Sequence, residues 1–108
     1  MRFVIGIDVG ATWTRIALAR EDGSIVLREV LKTPREGDEY TIANVIASIV
    51  KNRFYNYLDK VVAIGIGSIG PLDLATGRVT NAPNLPIHTF ELARPLQEEF
   101  RLSLIHIS

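Results

Sequence analysis

The sequence predicts an α/β domain built on a mixed sheet, and three observations predict it. Three β-compatible segments follow one another at the start of the chain, joined by connections short enough to make antiparallel neighbours of them. From Thr41 the apolar residues recur at helical spacing instead. A further apolar run, Lys60 to Gly67, then follows that helix. A strand, helix, strand order after a meander requires a crossover connection, which is the mark of the α/β class.

Each element has its own signal. Phe3 to Ile7 is a short apolar run that reads as buried on both faces. Gly10-Ala11-Thr12 breaks it, and Thr14 to Arg20 follows with β-compatible residues in partial alternation. Glu21-Asp22-Gly23-Ser24 carries the Asp-Gly turn signature, and Ile25 to Thr33 returns as the third strand. Thr33 to Asp38 is a loop. Beyond it Ile42, Val45, Ile46, Ile49, Val50 and Phe54 form one helical stripe, with Asp38 or Thr41 as the cap. Tyr55 and Tyr57, near its end, are expected to pack. Asn81 to Pro86 is a compact loop, and a second helix is expected over Phe90 to Phe100, kinked at Pro95 or beginning there. Leu102 to Ser108 reads as a strand just beginning, which suggests a chain cut at that point.

Composition narrows the function. Twelve Lys and Arg balance twelve Asp and Glu, so no long-range charge favours nucleic acid or an anionic membrane. There is no cysteine, hence no disulfide, thiolate metal site or thiol nucleophile. No apolar stretch approaches the ~20 residues of a membrane span. The run at Phe3 meets Asp8 too soon for a secretory leader, so none is expected.

The chemistry concentrates in three places. Asp8-Val9-Gly10-Ala11-Thr12 puts a carboxylate, a glycine and a hydroxyl where a strand meets a tight turn. Such a turn offers backbone N–H groups to a phosphate while Asp8 reaches Mg²⁺, directly or through water. The same residues also serve an ordinary turn, whose backbone Asp8 and Thr12 would satisfy. Gly65 to Pro71 carries a strand into a glycine-rich loop, which either admits a ligand to the backbone or relieves crowding. Asn81 and Asn84 offer amides suited to sugar hydroxyls, or simply shape a turn. Neither a P-loop nor a G-x-G-x-x-G in a strand–turn–helix context occurs. His88 and His106 lack a ligand set, and Ser68 lacks the G-x-S-x-G elbow.

Taken in order, the segments FVIGIDVGATWTRIAL, VVAIGIGSIGPLD and TGRVTNAPNLP closely resemble the ROK family of sugar kinases and sugar-responsive repressors, within the actin-like ATPase superfamily. DVGATWTRIAL looks most like the archaeal ATP-dependent hexokinases or glucokinases of that family. The resemblance covers nearly the whole chain and implies an RNase H-like lobe. It implies that Asp8, Gly10, Ala11 and Thr12 approach the phosphates and Mg²⁺ of MgATP. It implies that Gly67, Gly70, Asn81 and Asn84 lie on the side of a hexose such as glucose. Ala11 stands where a second glycine is frequent, and Ser68-Ile69 replaces a common proline-containing variant.

The resemblance also says what residues 1–108 do not hold. The catalytic aspartate belongs to an Asn-Asp pair expected just beyond residue 108, and no Asn-Asp dipeptide occurs in the chain. The second phosphate motif, the adenosine region and the Glu/His sugar contacts are expected in a C-terminal lobe. The expectation is therefore an N-terminal lobe, inactive by itself, of a cytoplasmic hexose kinase. Its uncovered cleft would favour self-association into a homo-oligomer. Three alternatives stand beside it: the sugar-sensing part of a ROK repressor, another RNase H-like or actin-like ATPase or nuclease, and a fragment that folds without function. A DNA-binding segment normally precedes the phosphate motif in the repressors, and only seven residues do so here.

Overall fold

Five strands form one sheet in the order β3-β2-β1-β4-β7. They are β1 (Phe3–Val9), β2 (Trp13–Arg20), β3 (Ile25–Lys32), β4 (Val61–Ser68) and β7 (Ser103–His106). The computed structural model describes residues 1–73 and 75–101 and the backbone of residues 103–106. Strands β1, β2 and β3 are antiparallel neighbours, whereas β4 runs parallel to β1 and β7 parallel to β4. The predicted meander and mixed sheet are both present. The terminal strand predicted from Leu102 is seen at Ser103–His106. Leu102, Ile107, Ser108 and the His106 side chain lie outside the described residues.

The β2–β3 connection follows its turn signature. Gly23 takes φ +92°, the left-handed region that an Asp-Gly turn requires, and its N–H donates to Arg20 O at 2.9 Å. Asp22 Oδ1 accepts from the Ser24 N–H at 2.8 Å and the Ser24 hydroxyl at 2.6 Å.

One face of the sheet makes the core. Ile5, Ile7 and Val9 of β1, Ile16 and Leu18 of β2, and Ile64 and Ile66 of β4 are buried there. Against them lies α1 (Thr41–Arg53), the crossover between β3 and β4, through Ile42, Ala43, Ile46 and Val50. Phe54, one residue beyond the helix, joins the same core. The stripe is the predicted one, with Val45 and Ile49 at its half-buried margin. Its β-branched residues make a weak isolated helix, so burial of the stripe must supply most of its stability.

Four expectations need correction. Strand β1 is not buried on both faces: Gly6 and Asp8 are exposed, because the sheet leaves its second face open. Neither Asp38 nor Thr41 caps α1. Tyr40 occupies that position without a side-chain bond, while Asp38 Oδ1 accepts the Tyr40 N–H at 2.8 Å in a turn just ahead of the helix. Tyr57 packs edge-on against Phe3, with ring centroids 5.1 Å apart, but Tyr55 is 75% exposed and stays out of the core. The second helix, α2 (Ala93–Phe100), starts later than predicted. Phe90–Glu91 is instead strand β6, paired with β5 (Arg78–Val79), and Pro95 falls in the first turn of α2, where its missing N–H costs nothing.

Helix α2 is the second crossover, from β4 to β7, and buries Ala93 and Leu96. Leu92, Phe90, Leu85, Ala82 and Val79 extend the core beneath the small β5–β6 hairpin. Arg78 ties that hairpin down: its guanidinium lies 2.8 Å from Glu91 and 3.5 Å from Glu39. The Glu91 N–H also donates to Glu39 O at 2.9 Å.

Candidate active site

Parallel pairing of β1 with β4 brings the first two motifs together. Asp8 is the register partner of Gly67, and Val9 that of Ser68. The Ile69 N–H then donates to Val9 O at 2.9 Å, so the glycine loop leaves the sheet tied to the end of β1. Asp8 and Gly67, 59 residues apart in sequence, are neighbours on the open face.

That face holds a cleft of about 540 Å³ lined by Gly6, Ile7, Asp8, Arg15, Ala17, Gly65, Gly67 and Ser68. Its floor follows from the register. Gly6 lies between Ala17 and Gly65, and Asp8 between Arg15 and Gly67, so small residues leave backbone accessible where the core face carries isoleucine. The Ser68 hydroxyl is shielded from solvent and has no hydrogen-bond partner among the described residues.

The turn beside the cleft is held from within. Gly10 N–H donates to Trp13 O at 2.9 Å, and Thr33 N–H donates to Thr12 O at 2.9 Å. The Thr33 hydroxyl donates to Gly10 O at 2.7 Å. A Cβ on residue 10 would stand 2.8 Å from Trp13 O, which is why glycine is needed there. Among the described residues, the amides of Ala11 and Thr12 have no protein acceptor. With the carbonyls of Gly10, Thr12 and Trp13 engaged and two amides uncommitted, the turn is able to take an anion.

The third motif joins through Gly70. A Cβ at that position would lie 2.8 Å from Val79 Cγ1 and 3.0 Å from Ala82 Cα, so the glycine loop rests directly on the segment that carries Asn81. Asn81 and Asn84 are exposed and adopt φ +52° and +62°, a left-handed conformation that asparagine tolerates better than most residues. The Ala82 N–H donates to His88 O at 2.8 Å, closing the loop. Arg35 Nη1 donates to Asn84 O at 3.3 Å. Locally, Gly70 relieves crowding against Val79 and Ala82, and Asn81 and Asn84 shape a turn.

For Mg²⁺ the fit is that of a single ligand. Asp8 is exposed and has no ion-pair or hydrogen-bond partner among the described residues, so its carboxylate is available. No cluster of three His, Asp or Glu that could hold a metal exists among the described residues. One free carboxylate suits a Mg²⁺ that keeps several waters and takes most of its remaining ligands from phosphate oxygens. Asp73, by contrast, accepts the Ala75 and Thr76 amides at 2.8 and 3.3 Å.

The motif search missed Gly6, Arg15 and Ala17 on the cleft, and Thr14 and Thr33 behind the turn. Strand alternation carried a signal for Thr14. It shares its parity with Ile16 and Leu18, so a hydroxyl there points into the core.

Comparison with known proteins agrees with this fold. The ROK family model matches residues 4–107. A glucokinase of Pyrobaculum calidifontis is 42% identical over 94 residues, covering 87% of this chain and 28% of the relative. A glucokinase of Aeropyrum pernix is 33% identical over 109 residues, covering 100% of this chain and 32% of the relative. The chain thus spans about a third or less of the curated relatives it matches. The crystal structure of a ROK family glucokinase from Streptomyces griseus, in complex with glucose and AMPPNP, superposes with a TM-score of 0.78 at 25% identity. That match covers 96% of this chain and 32% of the other. A ROK family transcriptional regulator superposes with a TM-score of 0.79 at 17% identity, over 96% of this chain and 27% of that one, a likeness of fold alone.

Proposed function

The chain belongs to the ROK family, and from that premise we propose that residues 1–108 are the N-terminal lobe of an ATP-dependent hexose kinase, the lobe that holds the ATP phosphates and one side of the sugar. The observation that carries this reading is the Asp8–Gly67 register. It sets the phosphate turn and the glycine loop at the same end of adjacent parallel strands, so one ligand pair can meet both.

Each residue then has a task. The free amides of Ala11 and Thr12, with the Thr12 hydroxyl, receive phosphate oxygens, and Gly10 allows the tight turn that presents them. Asp8 would hold Mg²⁺, directly or through water. When bound, the ion neutralises charge on the phosphates of ATP. Gly67 and Gly70 keep the backbone approachable to the hexose, and the Asn81 and Asn84 amides hydrogen-bond its hydroxyls. The general base that deprotonates the 6-hydroxyl belongs to the second lobe. Positioning and charge stabilisation supply most of the rate in phosphoryl transfer, so a lobe lacking the base and half the site is inactive alone. A cytoplasmic location accords with this reading. No helix among the described residues is long and apolar enough to cross a membrane.

The test is a coupled hexokinase assay on the full-length protein that contains this chain. MgATP-dependent formation of hexose 6-phosphate is expected, falling roughly 10²–10³-fold in Asp8→Ala, the loss typical of removing one preorganised electrostatic group. The 108-residue chain alone should give no turnover. Sugar-dependent DNA binding without kinase turnover would transfer the reading to the regulator branch, whose fold this chain shares.

A further inference from the structure

Among the described residues, two polar side chains are buried: Thr14, 1% exposed, and Thr33, 3% exposed. They touch each other, with hydroxyl oxygens 2.7 Å apart. The Thr33 hydroxyl proton is committed to Gly10 O at 2.7 Å, so in this pair Thr14 is the donor and Thr33 the acceptor. The result is a directed chain, Thr14 to Thr33 to the Gly10 carbonyl. Valine would fill either place with nearly the same shape and no polar group to satisfy. Hydroxyls here serve something other than packing.

We propose that Thr33 is a positioning residue for the phosphate turn, oriented in turn by Thr14. Thr33 holds the turn at two points, since its N–H binds Thr12 O and its hydroxyl binds Gly10 O. With Trp13 O taken by the Gly10 N–H, the carbonyls of Gly10, Thr12 and Trp13 are all engaged. Three acceptors are thereby withdrawn from the place where an anion must come. The Gly10–Ala11 and Thr12–Trp13 peptide units are fixed through their carbonyls, and the Ala11 and Thr12 N–H groups are uncommitted. A turn free to rotate those peptides would present carbonyl oxygens to a phosphate part of the time, and repulsion would lower the affinity. Preorganised donors avoid that reorganisation. Thr33 itself is outside the D-x-G-x-T segment, one residue past β3, and touches no ligand in this role.

The inference rests on the phosphate reading of the turn, and two measurements on this chain separate its failure from the failure of that reading. The first is amide hydrogen exchange without ligand. Thr33→Val is expected to speed exchange of the Gly10 N–H about tenfold, the weight of one lost buried hydrogen bond. Thr33→Ser, which keeps the hydroxyl, should stay near wild type. Thr14→Val, which spares the bond to Gly10, should fall between them. The second is calorimetric titration with MgATP, where the affinities should follow the same order, with Thr33→Val weakened about tenfold and Thr33→Ser restored. If Thr33→Val does not fold, Thr14→Val against Thr33→Ser decides by the same two readings. Unaltered exchange and affinity in the valine variants would overturn the positioning role. Altered exchange in a chain that takes no MgATP would overturn the phosphate reading and leave the tether as a structural device.

Discussion

The two faces of the five-stranded sheet are made from the same strands and could hardly differ more. On one, Ile5, Ile7, Ile16, Leu18, Ile64 and Ile66 are sealed beneath α1 and α2. On the other, Gly6, Asp8, Arg15, Ala17, Gly65 and Gly67 line an open cleft. Alternation along a strand allows this division, because successive residues point to opposite sides. Stability is carried by one parity of residues and the proposed ligand chemistry by the other, so a substitution should disturb mainly one of the two.

The sharpest way to break that contrast is a cavity under the helices. Ile46 of α1 is fully buried, and Ile46→Ala should cost about 2–5 kcal/mol of unfolding free energy, read from urea denaturation. A loss below about 1 kcal/mol would mean that the helix-covered face is not where stability resides. Next in size is Gly70→Ala. The new methyl would press on Val79 and on the backbone of Ala82 and Thr80, so a loss of about 1–3 kcal/mol is expected from overpacking, together with displacement of the Asn81 loop.

Gly6→Ala sharpens the comparison from the other side. A Cβ at Gly6 meets nothing within 4 Å, and glycine within a strand is conformationally costly. The variant should be as stable as wild type or up to about 1 kcal/mol more so in thermal melts. Under the proposed kinase function, the same methyl would intrude on the cleft of the full-length protein, and catalysis is where its cost should appear.

The smallest effect belongs to neither face. At the β2–β3 turn, hydrogen bonds from the Ser24 hydroxyl and then the Ser24 N–H hold the Asp22 carboxyl below its ordinary value. A lowered folded-state value means the contribution is complete above the unfolded pKa and fades as pH falls through the folded one. In an NMR pH titration, Ser24→Ala should move the Asp22 midpoint upward and leave the rest of the titration unchanged.

How much of this was legible in the sequence depended on how local the signal was. The meander was readable because Asp22-Gly23 names its own turn, and α1 because Ile42, Ile46 and Val50 repeat at helical spacing. The open face was not. Gly6 is neither clearly polar nor apolar, so Phe3 to Ile7 reads as buried on both sides, and only the absence of an element over that face among the described residues shows otherwise. Phe90–Glu91 was read into a helix because four-residue spacing from Leu92 onward runs smoothly back into it, whereas pairing with Arg78–Val79 is a non-local fact. The candidate site followed the same rule. Asp8, Gly10 and Thr12 stood out as a segment and Gly67 and Gly70 as another, but their adjacency is a matter of strand register. Thr33 was invisible as a site residue, since its partners, Thr14 and Gly10, lie about twenty residues upstream.

The most direct test of the central claim, that the open face and its turn are an ATP-phosphate site, is amide-resolved NMR of this chain titrated with MgATP. The account predicts saturable shifts centred on the amides of Ala11 and Thr12 and spreading to Asp8 and Gly67, with α1 and α2 silent. Shifts centred on the helices, or none at millimolar nucleotide, would contradict it.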